Sequence, residues 1–528
     1  MTELRLFDYG HPASEWGASG DPVQDEDWGP FGKALFEDPS AQALGRVGVI
    51  DVGSNSVRMV VFDGAARSPA YFYNEKVMAG LGAGLSQSGR LNPEGRIRAM
   101  DAMKRFVLLA QSMNVSPLVA VATAAMREAE DGPAFREELT QETGLRLWVI
   151  DGAEEARLSA QGVLLGWPGA TGLVCDIGGS SLELAELSEG QVGKRETSAL
   201  GPLKLRDVPG GKKGLKAHIR SELDTLRARI DGSYDRLFLV GGSWRAIARL
   251  DMIRREYPLA VLHEYRMSPR AVSETIAMIQ NTTPEALRAM SGIGEARMSL
   301  LPEAAQVLGP LIRTFRPKEI AVSAYGIREG LLYEQMPQKL RNRDPLIEAC
   351  RYMEAQSSRI PGFGRGLYEF LKPLFSSEKA SGRRLIKAAC LLHDISWRAH
   401  PDYRAEVCFD TATRANLGGL SHSERIFLGL ALLHRYKNSR SGSRFEHFFE
   451  LLPEKDQKKA EVLGKAMRFG AMLAAQDPSK MGRLKLYPKK KVLELRMPVE
   501  TRDLFGEVAQ ARFKSLAAAL EAEPRVLI

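Results

Sequence analysis

Between Gly48 and Val60 the apolar run Val49-Ile50-Asp51-Val52 is broken by Gly53-Ser54-Asn55-Ser56 and resumes as Val57-Arg58-Met59-Val60. Two β-rich segments around a four-residue turn read as strand, tight turn, strand. A turn of glycine and small hydroxyl residues presents backbone N–H groups and hydroxyls at its tip, which suits phosphate oxygens. The pattern returns at Leu173–Leu184, where Asp176-Ile177-Gly178-Gly179-Ser180-Ser181 leads into Leu182-Glu183-Leu184. Two such turns, each with an Asp at the strand end, predict two lobes facing one another across a single cleft.

The rest of the chain supports that division. At 528 residues it exceeds one hydrophobic core and divides into about three domains. After the first two strands come a loop at Ala79–Leu85, an amphipathic helix over about 94–113, a strand over 117–122 ending at Thr123, and a strand over 145–150. Gly152-Ala153-Glu154-Glu155-Ala156-Arg157 then opens a helix reaching about Leu165. The glycine loop at 80–84 serves either as a connector or as part of the cleft rim. The second lobe starts at Leu173, passes a basic region at Lys204–Arg220, and carries strands at 237–240 and 320–323. Strands with helical crossovers in both halves define an α/β architecture. Beyond Asn342 helical periodicity dominates. The expected organisation is an acidic disordered tail over 1–44, a first lobe over 45–170, a second over 171–341, and an all-α, basic domain over 342–528.

Charge sharpens this. Residues 1–44 hold nine acids against Arg5 and Lys33, whereas 343–528 hold 33 basic and 22 acidic side chains; the whole chain is +8. A basic C-terminal third points to a polyanionic partner. Cys175, Cys350, Cys390 and Cys408 form no CxxC pair and suit buried free thiols in a reducing cytoplasm. The longest apolar runs are too short to cross a membrane, and no basic-then-apolar leader opens the chain, so neither membrane insertion nor secretion is expected.

Open α/β sheets hold ligands at the carboxyl ends of their strands. Those positions supply Asp51, Gly53, Ser54, Asn55, Ser56, Arg58, Thr123 and Arg127 from the first lobe. The second supplies Asp176, Gly178, Gly179, Ser180, Ser181, Glu183 and the turn Gly241-Gly242-Ser243. The set combines phosphate donors, fixed cations and carboxylates (Asp51, Asp176, Glu183) able to bind Mg²⁺, or Mn²⁺, through oxygen. No Ser or Cys sits beside a His, so attack by activated water is the expected chemistry. One of Glu154 and Glu155 can face the cleft as the base while the other caps or pairs.

Together these motifs resemble the exopolyphosphatase/guanosine pentaphosphate phosphatase family of the sugar kinase–Hsp70–actin superfamily. The resemblance spans about Val47–Leu332. It rests on Asp51–Ser56, the T-x-x-x-R segment Thr123–Arg127, the G-x-E-E-A-R box Gly152–Arg157, the turn Asp176–Gly179 with Glu183, and the G-x-R-E-G box Gly326–Gly330. It implies a two-lobed actin-like fold with an interlobe cleft, Glu155 as the catalytic carboxylate, Asp176 and Glu183 at a Mg²⁺ site, and Ser54, Asn55 and Arg127 on phosphate. It further implies a helical C-terminal domain resembling HD-type phosphohydrolases and a homodimer formed through it. Two departures stand out: Ser180 replaces the third glycine of the family's second turn, and Arg245 follows Gly241–Trp244, where relatives often have small residues.

His393-Asp394 spells HD, but no His lies between His263 and His393, so a second metal centre is not expected. The leading expectation is a Mg²⁺-dependent exopolyphosphatase acting on inorganic polyphosphate. Its alternatives are guanosine pentaphosphate hydrolysis at the same site and a non-catalytic polyphosphate or nucleotide sensor.

Overall fold

The computed structural model describes residues 46–63, 67–334, 336, 338–474 and 477–528; the acidic segment 1–44 lies outside them. The chain divides after Arg343 into two compact units.

The first unit is built on two sheets with one plan. In the first, β1 (Val47–Val52), β2 (Val57–Phe62) and β3 (Tyr71–Val77) form an antiparallel meander. β4 (Leu118–Ala122) adds parallel to β1, and β5 (Leu147–Val149) parallel to β4. In the second, β6 (Gly172–Ile177), β7 (Leu182–Ser188) and β8 (Gln191–Ser198) form the same meander. There β9 (Arg236–Val240) and β11 (Glu319–Val322) add in parallel, and β10 (Arg266–Met267) closes the edge. The duplication read from two short turns is therefore a duplication of whole sheets. The central strands β1 and β6 are almost wholly buried, which explains their near-continuous apolar sequence.

The helix Gly152–Gly166 follows the first sheet in sequence but packs between the two. Its Leu158 and Val163 share a core with Val49 and Phe62 of the first sheet and Val174 and Phe238 of the second. The helix Ile327–Glu334 crosses it at glycines. A Cβ on Gly330 would fall 1.8 Å from the Leu158 carbonyl oxygen, and one on Gly162 would fall 2.2 Å from that of Gly326. Asp151 caps the first of these helices by accepting from the Glu154 N–H at 2.7 Å. This fixes where residues 154 and 155 leave the helix.

The second unit is mainly helical, as expected, but not all-α. β12 (Arg483–Tyr487), β13 (Val492–Arg496) and β14 (Glu523–Leu527) form a three-stranded sheet. β12 alternates leucine with exposed Arg483 and Lys485, β13 buries Leu493, Glu494 and Leu495 in a row, and β14 pairs with β13 only after the intervening helix Glu507–Ala519. Such pairing leaves no local periodic signal. Among the described residues no helix is long and apolar enough to cross a membrane. All four cysteines are buried free thiols.

Candidate active site

The two glycine turns close identically. The Gly53 N–H donates to the Ser56 carbonyl at 3.0 Å, and the Gly178 N–H donates to that of Ser181 at 3.0 Å. They also touch: the Ser180 hydroxyl donates to the Ser54 hydroxyl at 3.0 Å. Ser180, the departure from the family pattern, thus joins the turns. Gly179 and Gly82 permit this approach, since a Cβ on either would lie 3.3 or 3.0 Å from Ser54 Cβ. The loop at 80–84, for which two roles stood open, supports the first turn. Gly80 and Gly82 donate their N–H groups to the carbonyls of Asn55 and Ser54 at 3.1 and 2.8 Å. The backbone N–H groups of Ser54, Asn55, Gly179 and Ser180 meet no acceptor among the described residues and are available to an anion.

Behind the turns lies a group of buried acids. Glu155 is 5% exposed, and its Oε2 has no hydrogen-bond partner. Arg127 Nη1 stands 3.6 Å from that oxygen and donates to the Ile150 carbonyl at 2.7 Å, which steadies the guanidinium. Arg127 is carried by the short helix Ala124–Glu128, which starts after Thr123, whose own N–H donates to the Val52 carbonyl. Glu154 turns away and is gripped by Arg157 at 2.6 and 2.8 Å, while Arg157 also meets Glu334 at 2.7 Å. The choice between the adjacent glutamates thus falls on Glu155.

Asp176 and Glu183 stand directly opposite one another on β6 and β7, so both side chains share a face. Ser159 donates to Asp176, and Thr197 donates to Glu183 Oε1 at 3.2 Å. Thr197 also packs against Gly152, where a Cβ would fall 2.6 Å from its methyl carbon, so β8 seats the start of the Glu155 helix. Burial, reinforced by Glu183, pushes the Glu155 carboxyl well above the usual carboxylate range. Burial and then Asp176 push Glu183 to about 8. Asp176 and Asp51 are likewise raised by burial.

A divalent cation fits this chemistry. The donors are all hard oxygens, and Glu155 and Glu183 each have a buried oxygen without a partner. Among the described residues no three His, Cys, Asp or Glu side chains form a ready metal cage. Asp51 instead lies 3.5 Å from Arg328. Asp176 and Glu183 are the residues that would hold a Mg²⁺ ion here.

Opposite the acids stands a set of cations that sequence reading gathered only in part. Arg58 and Lys76 face one another across β2 and β3, a like-charge pairing that destabilises an empty sheet. Arg58 Nε donates to Asn74 at 2.7 Å. Loss of water, then the field of Arg297, Arg58, Arg328 and Arg245, pulls the exposed Lys76 ammonium down to about 8. The Arg297 guanidinium lies against Gly242, where a Cβ would sit 2.9 Å from its Nη2. Arg245 is anchored to the Ala324 carbonyl at 3.2 Å. The turn Gly241–Ser243 thus belongs to a cation-rich wall, and Gly241, at φ 109°, also lies beside Asp176. Arg328 had a signal in its G-x-R-E-G box, and Lys76 in its register opposite Arg58. Arg297 had none.

In the second unit, Asp394 is held by both nitrogens of the Arg359 fork at 2.6 and 2.8 Å, and His393 Nδ1 faces the Cys390 carbonyl at 2.8 Å. Burial takes His393 down to about 4. An arginine holds the acid that a metal would need.

Two sheets of one plan, meeting through paired glycine turns over a buried carboxylate, define a two-lobed actin-like fold. The model of the Ppx/GppA phosphatase family matches residues 60–339, and that of the exopolyphosphatase C-terminal region matches 346–523. The chain belongs to the Ppx/GppA phosphatase family. It is 26% identical over 305 residues to exopolyphosphatase 1 of Mycobacterium tuberculosis, covering 55% of this chain and 88% of that one. It is 23% identical to the guanosine-5'-triphosphate,3'-diphosphate pyrophosphatase of Aeromonas hydrophila, covering 66% and 72%. The crystal structure of an exopolyphosphatase from Cytophaga hutchinsonii shares the fold, with a TM-score of 0.50 at 24% identity over 55% of this chain and 96% of that one.

Proposed function

We propose that this protein hydrolyses the terminal phosphoanhydride bond of inorganic polyphosphate, releasing orthophosphate, with Glu155 as the base. The observation that carries the reading is the buried Glu155 carboxylate beside Arg127, set behind two facing turns with free N–H groups. In this reading the turns and Arg127 hold the terminal phosphoryl group. Glu155 Oε2 takes a proton from water as its oxygen bonds to phosphorus, and the bridging oxygen leaves with the shortened chain. Charge spread over the phosphoryl oxygens meets fixed donors, which carry most of the catalysis in such reactions. A bound Mg²⁺ would supply further charge neutralisation. Arg58, Lys76, Arg245, Arg297 and Arg328 would hold the following phosphates; such a wall of cations suits an inorganic polyanion better than a purine base.

A cytoplasmic enzyme fits the four free thiols. A homodimer through the second unit has support in exposed Leu527 and Ile528 beside the open edge of β14.

Glu155→Gln tests the reading. Phosphate release from polyphosphate falls by ~10²–10⁴ while polyphosphate binding persists. Undiminished release would overturn it. Guanosine pentaphosphate as a competitor in the same assay separates the two family activities.

A further inference from the structure

Among the described residues, three arginines of the second unit make no ion pair: Arg435 on the helix His422–Tyr436, Arg468 on Glu454–Leu473, and Arg512 on Glu507–Ala519. Two contacts bring them together. The rings of Phe469 and Phe513 lie 5.1 Å apart, which sets their chain neighbours Arg468 and Arg512 at one level of the two helices. The Ser515 hydroxyl donates to Asn438 at 2.9 Å, which fastens the turn after Arg512 to the end of the helix that carries Arg435.

Arg435 is only 7% exposed, and the Nε atoms of Arg435 and Arg512 are buried without a hydrogen-bond partner. Asp394, an acid within the field of Arg435, is already held by both arms of Arg359. Burial draws both Arg435 and Arg468 below the usual guanidinium range, and Arg512 and Arg435 add repulsion at Arg468. A desolvated cation left unpaired is expensive, and the half-buried Arg468 and Arg512 add two more positive charges beside the buried Arg435, a setting that favours an anion. Guanidinium forks match the oxygens of a tetrahedral phosphoryl group in geometry and charge.

We propose that Arg435, Arg468 and Arg512 form a discrete binding site for a phosphoryl oxyanion, supplied either as free orthophosphate or as one residue of a phosphate chain. The site stands on its own residues and does not depend on the role given to Glu155.

Orthophosphate binding to the full-length protein, measured by equilibrium dialysis, tests it. Wild type binds orthophosphate at this site, and the double variant Arg435→Met/Arg512→Gln binds it there at least about tenfold more weakly. Release of phosphate from tripolyphosphate stays unchanged. Arg512→Gln alone, at a partly exposed position, gives the same direction should the double variant fold poorly. Arg435→Met itself leaves thermal stability in phosphate-free buffer equal or higher, because it removes a buried charge whose guanidinium lies over the Tyr436 ring, 4.8 Å from its centroid, but makes no ion pair. A rise in KM for long polyphosphate in the double variant identifies a chain residue as the ligand; an unmoved KM identifies free orthophosphate. Orthophosphate binding unchanged in both variants would overturn the proposal.

Discussion

Glu155 and the three acids around it, buried Asp176 and Glu183 and half-buried Asp51, resist ionising together, and burial raises all four. Glu183 illustrates the consequence: its carboxyl titrates near 4.5 in an unfolded chain and at about 8 in the fold. The native state then holds a proton that the unfolded state has lost, so stability is full below 4.5 and declines as pH rises to about 8. In metal-free buffer the melting temperature accordingly falls across that window, and Mg²⁺ at the upper end restores it with proton release. A flat profile with and without Mg²⁺ would contradict this arrangement. Lys76 carries the opposite sign. Its ammonium is charged below about 8, so it aids polyanion binding at neutral pH and ceases to as pH rises beyond that value. Lys76→Met raises KM for polyphosphate about tenfold at pH 7, and the gap to wild type closes above pH 8. Steady-state kinetics at several pH values measure it. Such residue-level partners were only half legible in the sequence. Glu154 and Glu155 looked alike until Arg157 was seen to take one of them, and Arg297 reaches Gly242 from 55 positions away.

Hairpins, by contrast, were readable where a glycine turn joins two apolar runs, whereas β3, β8 and the hairpin β12–β13, paired just as locally but without such a turn, were not. The hairpins at Asp51–Arg58 and Asp176–Glu183 announce themselves through turn residues between β-rich runs, and the parallel strands through short apolar stretches before loops. Pairing at a distance escaped as well: β14 on β13, and the helix Gly152–Gly166 set between two sheets rather than on one. Glycines make that last placement possible. Gly330 has an ordinary backbone conformation, so its requirement is steric: the Leu158 carbonyl fills the space where a Cβ would go. Because that carbonyl belongs to the helix bearing Glu155, Gly330→Ala pushes on the element that carries the proposed base. The substitution costs about 1–3 kcal/mol in chemical denaturation. It also lowers kcat for phosphate release, although residue 330 lies outside both glycine turns. Loss of stability with kcat intact would show that the crossing supports the fold without positioning Glu155.

Across the whole molecule the charge is uneven, with 33 basic against 22 acidic side chains over residues 343–528. In the proposed reading a tripolyphosphate is satisfied by the turns, Arg127 and the cation wall of the first unit. A chain of many phosphates carries charge well beyond that reach and interacts with any basic surface within a screening length, about 8 Å at physiological salt. Release of counterions from such a polymer makes its binding fall steeply with ionic strength, in proportion to the number of contacts made. The ratio of kcat/KM for long polyphosphate to that for tripolyphosphate therefore exceeds one at low salt and shrinks as salt is added, while kcat on tripolyphosphate stays nearly level. Initial rates on chains of defined length across a salt series measure the ratio. A ratio independent of salt would mean that long chains engage only the crevice, and that the basic surplus of the second unit serves something other than substrate capture.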